Sequence, residues 1–529
     1  MMQCARLPGQ SSLRLAGAAS CWILVEAVAI RTPRTGGRPT MRAYPLEVRA
    51  RNRRRQARPL SAGQIRSFLA RGYLALDSSL PRAFHDSIFG QFHDLSESVG
   101  HFGNNLLPLV PELGELFEDP VVKGALGSLL GPDYLMHPHR ALHQNPPGSG
   151  EQQFHKDSYW GYTRRVRNHR PWWVMVMYFP QDTPLELGPT SVMEGSQYLY
   201  QRPESLCEEV PVVGKAGQFV LIHYDIWHRK MLNQRDVQRY MFKFEFTRLT
   251  APEEQPAGRW QLPRNRPDQP LEAAWRSHWY WLHGQDAPAE PRGRLTDWAS
   301  NLYAEQELDT IAAGYELAAF GRKGLPPLID ALGSATGDND NVRKYADDGQ
   351  AWREDAAVRA AAHGLAAMGR TSLGALTGAL AHGNAKARKH AAFALGENLA
   401  AGPAADRALI AAMQDDDIHV RIAATEALGL KPPRPAQLAA LTHALTEDKS
   451  EVRFDAALSL VRAAAMGSSR QLARTIEPLG AALCDSNRYV SAHAADALER
   501  IGTDAAYAEL IPWLRTARWC AHTDNKRPF

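Results

Sequence analysis

Residues 148–162 read GSGEQQFHKDSYWGY, with His155 and Asp157 two apart, ahead of aromatics and a long strand-like segment. On a β-strand, residues i and i+2 point to the same face, so this pair can aim an imidazole and a carboxylate at one ion. The bland alternative is two polar residues in a loop. A second His-x-Asp stands at His223 and Asp225, so the choice between the pairs rests on a third ligand.

Two imidazoles and one carboxylate on one face of an octahedral ion, with the opposite face open, suit a non-haem Fe(II) centre. The third ligand must come from a different strand. His228 follows Asp157 by 71 residues, at the end of AGQFVLIHYDIWH, where Gly217 opens a strand. The pair at His223 and Asp225 has only His228 immediately downstream, too close to serve. The reading therefore favours His155, Asp157 and His228, with His223 packed beside the strand. Arg239, eleven residues beyond His228, starts the strand RYMFKFEF. A guanidinium suits a forked ion pair with the far carboxylate of a small dicarboxylate such as 2-oxoglutarate, although a surface strand can also carry an arginine.

The segments YLMHPHRALHQ, PWWVMVMYFP, GQFVLIHYDIWH and RYMFKFEFTRL are rich in aromatic and branched residues and separated by turn residues. They predict a β-rich barrel or sandwich over about 134–250. Ser61 is a good N-cap for a helix in SAGQIRSFLARGYLAL. His137, His139 and His143 alternate along one strand-like run and are expected to line a cavity or face solvent. Trp172 and Trp173 are expected to pack the barrel.

Residues 60–250 resemble the phytanoyl-CoA dioxygenase family of Fe(II)/2-oxoglutarate-dependent oxygenases. The resemblance rests on LSAGQIRSFLARGYLAL, HQNPPGSGEQQFHKDSYWGY, LGPTSVMEGSQY and DIWHRKMLNQRDVQRY. It implies a double-stranded β-helix (jelly-roll, cupin-like), with His155, Asp157 and His228 as iron ligands and Arg239 as the 2-oxoglutarate anchor. The implied reaction consumes 2-oxoglutarate and O2, yields succinate and CO2, and hydroxylates an unactivated C–H of an organic substrate, a small molecule or one that is carrier- or protein-bound. The carboxylate at Asp157 implies hydroxylation and not halogenation. The sequence departs from the family pattern at Lys156, at Glu194 and Gln197, and at Met177, where some members place a tryptophan.

Beyond about residue 300 the chain is rich in Ala and Leu and repeats itself. GRKGLPPLIDAL (321–332) and GRTSLGALTGAL (369–380) share their Gly-Arg pair and three Leu positions. Equivalent small apolar residues at Ala387, Val420, Val452 and Val490 give periods of 33, 32 and 38. Such spacing predicts paired helices stacked in a solenoid, each burying its apolar face against its neighbours. Residues 300–515 resemble HEAT repeats; an Ala-rich bundle without true repeats is the competing reading. A solenoid offers a surface for a protein partner. The chain can therefore be read alternatively as an interaction scaffold with an inactive or regulatory oxygenase-like domain.

Residues 251–299, with interleaved Pro and Trp, read as a connection that buries Trp275, Trp279 and Trp281 against a neighbour. Residues 1–59 hold twelve Arg, no Lys and only two acids, Glu26 and Glu47. They read as a disordered leader, a transit peptide or a misassigned start ahead of Met41, and residues 516–529 as a tail. Outside the leader the chain is slightly acidic, which does not support a nucleic-acid partner. No stretch of eighteen apolar residues predicts a membrane span. Five scattered cysteines indicate neither a disulfide framework nor a zinc site and fit a reducing, cytoplasmic location.

Overall fold

The polypeptide enters its first helix, α1 (Ala62–Arg71), through a reciprocal cap. Gln64 N–H donates to Ser61 Oγ (3.2 Å) while Ser61 N–H donates to Gln64 Oε1 (2.9 Å). The computed structural model describes residues 56–99, 102–157, 165–203, 207–263, 270–335 and 356–516. The leader up to residue 55, the aromatics of SYWGY and the tail from 517 lie outside the described residues. Arg58, placed in the leader by composition, already donates its backbone N–H to Pro120 O (2.8 Å).

Among the described residues eight strands follow: β1 (Tyr73–Asp77), β2 (Tyr134–Asn145), β3 (Trp173–Tyr178), β4 (Thr190–Met193), β5 (Glu209–Pro211), β6 (Gln218–His223), β7 (His228–Lys230) and β8 (Arg239–Arg248). They form two antiparallel sheets, in the orders β1-β6-β3-β8-β2 and β5-β4-β7. An isolated antiparallel bridge between His155 and His228 extends the smaller sheet by one edge. This is the jelly-roll type of sheet pair expected from the sequence, followed by the helical repeats.

Strand β8 explains how the barrel is lined. All ten of its residues are buried, and side chains alternate between its faces. Tyr240, Phe242, Phe244 and Phe246 pack outward on aromatic side chains. Phe242 meets Phe92 of α2 (Arg82–Val99) at 4.7 Å between centroids, and Phe244 meets Phe117 at 4.7 Å. The opposite register holds Arg239, Met241, Lys243, Glu245 and Thr247, four polar side chains and one methionine on a buried strand.

The repeats form two rows. The inner row comprises Glu307–Ala319, Ala356–Ala367, Ala385–Glu397, Ile418–Gly429, Ser450–Met466 and Arg488–Ile501, each packed on the next. Leu325–Gly333, Leu373–His382, Pro403–Ala412, Pro435–Ala444, Ile476–Ala482 and Asp504–Thr516 make the outer row. Small residues set the spacing. A Cβ on Gly314 would run into the backbone of Ala360, and one on Gly364 into that of Gly314. Within the connection, residues Glu272–Leu282 form a helix whose Trp275, Trp279 and Trp281 are buried; Trp281 packs edge-on against Trp172 at 5.3 Å.

The inner row does not face open solvent where residues 165–170, Arg-Val-Arg-Asn-His-Arg, leave the barrel, because this segment is buried against it. Arg165 is paired with Asp455 and with Glu426 (3.0 Å), and Arg170 with Glu397 (3.1 Å), to which Asn168 also donates (2.9 Å). His169 stacks on His363 at 3.4 Å between centroids. Glu307 accepts from the backbone N–H groups of Tyr200 and Gln201 (2.9 Å each) and pairs with Arg359 (2.8 Å). Buried charges need such partners, since an unpaired one would be left desolvated in a medium that favours neutrality.

Candidate metal centre

His155 and His228 are brought together by backbone pairing: each donates its N–H to the other's carbonyl at 3.0 Å. Their rings lie 4.5 Å apart between centroids. His155 Nδ1–H donates to Gln153 O (3.0 Å) and His228 Nδ1–H to Ile226 O (3.1 Å). A carbonyl can only accept, so both rings carry a proton on Nδ1, which leaves Nε2 as the nitrogen available to a ligand site. Asp157 Oδ2 lies 3.6 Å from His228 Nε2. One donor atom from each of His155, Asp157 and His228 falls within 4.8 Å of the others, the grouping able to hold a metal ion among the described residues. The donor set, two neutral imidazole nitrogens and a carboxylate, fits a divalent iron-type ion.

Electrostatics keep this donor set in its ligating form. Burial alone would raise the Asp157 carboxyl, but the Lys243 ammonium at 2.6 Å, which also donates a hydrogen bond to it, holds it below the usual carboxylate range. Burial pushes His228 down to about 3, against the pull of Asp157, so its ring is neutral at physiological pH.

A cavity of about 600 Å³ opens in front of the two imidazoles, and Arg239, Lys243 and Met177 line it with them. Arg239 is held from behind by Gly188, whose carbonyl accepts from Nε (3.1 Å). Gly188 has φ 66, and a side chain there would strike Asn145 and the carbonyls of Met231 and Leu232, so glycine is required. Burial pushes the Arg239 guanidinium down to about 9, still charged at neutral pH, and its buried Nη1 has no hydrogen-bond partner. An orphaned guanidinium nitrogen beside a cavity fits a ligand carboxylate.

The second His-x-Asp does other work. His223 Nδ1 accepts from Asp225 N–H (3.2 Å), and the Asp225 carboxylate pairs with Arg167 (2.5 Å), which also donates to Asp157 O (3.3 Å). Lys156, the middle residue of the first pair, donates to the carbonyl of Asp225. Of the three histidines of β2, His139 and His143 line the cavity, whereas His137 is fully buried against His493 and Phe454 of the repeats. The register shift between Met136 and Arg140 takes in both His137 and His139, so the alternation with His143 is broken there. Lys243 and Arg167 were not singled out from the sequence, although a lysine within the fully buried alternation of β8 was a usable signal.

Two family models match the chain. Residues 60–234 match the phytanoyl-CoA dioxygenase family. The three grouped donors lie inside that phytanoyl-CoA dioxygenase match, and Arg239 lies just past its end. Residues 373–461 match HEAT repeats. Curated proteins give no match. Among solved structures, the non-heme alpha ketoglutarate dependent carbocyclase SnoK from nogalamycin biosynthesis is 17% identical over 36% of this chain and 85% of its own, with a TM-score of 0.31. EctD from S. alaskensis with 2-oxoglutarate and 5-hydroxyectoine is 18% identical over 36% of this chain and 77% of its own, with a TM-score of 0.32. The non-heme monooxygenase ThoJ in complex with nickel is 20% identical over 42% of this chain and 96% of its own, with a TM-score of 0.29. Among the described residues, no helix is long and apolar enough to cross a membrane.

Proposed function

We propose that the protein is an Fe(II)/2-oxoglutarate-dependent dioxygenase that hydroxylates an unactivated C–H of an organic substrate. One observation carries the reading: His155 and His228, whose donor atoms converge with that of Asp157, line the same cavity as Arg239, whose buried Nη1 has no hydrogen-bond partner. Iron, when bound, supplies the O2 chemistry that turns 2-oxoglutarate into succinate and CO2 and places oxygen on carbon.

The chain's own residues prepare that chemistry. Backbone carbonyls fix the tautomers of His155 and His228, so no ring has to rotate or lose a proton for the ion to enter. Asp157 completes the ligand set already ionised. Arg239 is the anchor for the far carboxylate of 2-oxoglutarate, and its low-dielectric surroundings strengthen that pair. Met177, Met241 and Leu142 make apolar walls that exclude water from the reacting carbon.

Residues 60–250 are the oxygenase part in this reading, 251–299 the connection and 300–515 the solenoid, in a cytoplasmic protein. The scaffold alternative is left with the outer row of helices as its surface, because residues 165–170 cover part of the inner row.

Anaerobic titration of the purified protein with Fe(II) and 2-oxoglutarate tests the proposal. A weak visible charge-transfer band is expected, lost in His155→Ala and weakened in Arg239→Ala. Absence of the band in folded, iron-loaded protein sinks the oxygenase reading.

A further inference from the structure

The cavity in front of His155 and His228 has a wall from the repeats. Arg488, the first residue of the inner helix Arg488–Ile501, lines it together with Arg140 of β2. That helix is tied to the barrel at two points. The Tyr489 hydroxyl meets His139 Nδ1 (2.8 Å), and Arg500 grips both oxygens of Asp133 (3.0 and 2.9 Å).

The charges of the cavity are unbalanced. No acidic side chain lines it among the described residues. Lys243 is neutralised by Asp157 and Arg229 by Glu209 (2.8 Å) and Glu151 (2.8 Å). Arg239 is assigned to the co-substrate. Arg140, Arg488 and Lys230 remain, Lys230 Nζ donating to the neutral Ser149 Oγ (2.6 Å). Arg140 is half-buried, and its Nε is buried without a hydrogen-bond partner. Arg488 is exposed at the mouth and, among the described residues, donates to the neutral Tyr489 hydroxyl (2.9 Å). Asp496 acts on Arg140 from outside the lining, but neither guanidinium is in an ion pair among the described residues; two such groups on one cavity are a receptor for an oxyanion, and Phe102, Leu142, Met177 and Met241 supply apolar surface beside them.

We propose that the substrate is an amphipathic organic acid whose oxyanion head is held between Arg140 of the barrel and Arg488 of the last inner helix, so that the repeats themselves set part of the substrate specificity. The inference rests on the oxygenase reading, which fixes the imidazole end of the cavity as the reacting end.

The test uses full-length protein, anaerobic and loaded with Fe(II) and 2-oxoglutarate so that Arg239 is already occupied. Anilinonaphthalene sulfonate serves as the anionic probe and the neutral N-phenylnaphthylamine as its control, both followed by fluorescence. Wild type is expected to bind the sulfonate saturably. Arg140→Gln and Arg488→Gln should each weaken it about tenfold, the scale of one lost charge-assisted hydrogen bond. The neutral probe should be unaffected, and Arg488→Lys should recover part of the loss. The charge-transfer band must persist in both Gln variants, which reports a folded and loaded site. Absence of saturable sulfonate binding, equal binding by wild type and variants, or equal weakening of both probes overturns the proposal. Loss of the band in wild type instead strikes at the oxygenase reading itself.

Discussion

Lys243 Nζ stands 2.6 Å from Asp157 Oδ2, with both side chains almost wholly out of solvent. Before any ion arrives, the lysine is the cation that this carboxylate sees. Lys243→Met removes it and leaves a buried, uncompensated charge, which costs about 3–5 kcal/mol. The metal-free variant should therefore unfold at a lower temperature than metal-free wild type. Added Mn(II) or Fe(II) should raise its Tm more than it raises that of wild type, because the ion replaces the missing charge. Equal metal-induced shifts would falsify this account of Lys243.

Arg167 touches no candidate ligand side chain, yet it donates to Asp157 O (3.3 Å) and pairs with Asp225 (2.5 Å). Arg167→Ala should weaken Mn(II) binding roughly 10–100-fold, as lost outer-shell partners do. Isothermal titration of a variant with normal circular dichroism reads this directly; unchanged affinity would assign Arg167 to packing alone.

At the junction with the repeats, Glu397 accepts from Arg170 (3.1 Å) and Asn168 (2.9 Å). Glu397→Ala strands the Arg170 guanidinium and is expected to cost about 3–5 kcal/mol. Calorimetry should show wild-type barrel and repeats melting in one transition, and the variant melting earlier or in two. Two separated transitions in wild type would refute the coupling.

His363 is buried beneath His169 and against Phe393, at 3.4 and 5.1 Å between centroids. Burial pushes its pKa from 6.5 down to about 3. Above 6.5 the folded and unfolded chains both hold it neutral, and it contributes no pH dependence. Below 6.5 the unfolded chain takes up a proton that the folded chain refuses, so stability falls as pH falls towards 3. Relative to His363→Phe, wild type should lose about 1.4 kcal/mol per pH unit in that window. Urea unfolding at neutral pH and one to two units below 6.5 measures the difference; parallel losses in the two proteins count against it.

Much of this architecture was legible because its signals are local. The alternation in RYMFKFEFTRL states a strand with two different faces, and the recurrence of small apolar residues states stacked helix pairs. The His-x-Asp spacing and a distal histidine at a strand end likewise place donors on one side of a sheet. Long-range pairing was not legible. Residues 165–170 have the composition of an exposed basic loop, yet they form a buried link. Their acidic partners lie far along the chain, Glu397 some 227 residues beyond Arg170. The alternation of RYMFKFEF marks Lys243 as unusual on such a strand, but its partner Asp157 is seen only once β8 is placed between β2 and β3. The wall that Arg488 contributes to the cavity depends on how the whole stack of repeats curls back to β2, which no window of sequence contains.

Open repeat arrays tolerate the gain or loss of a unit, because each unit contacts only its neighbours. Here the stack is pinned at both ends: Glu307 of the first inner helix holds Tyr200 and Gln201, while Tyr489 and Arg500 of the last hold His139 and Asp133. Duplicating or deleting one helix pair would slide the last helix by about 8–10 Å, one helix diameter, and carry Arg488 off the cavity mouth. Copy number, a free variable in most solenoids, is in this chain a dimension of the cavity.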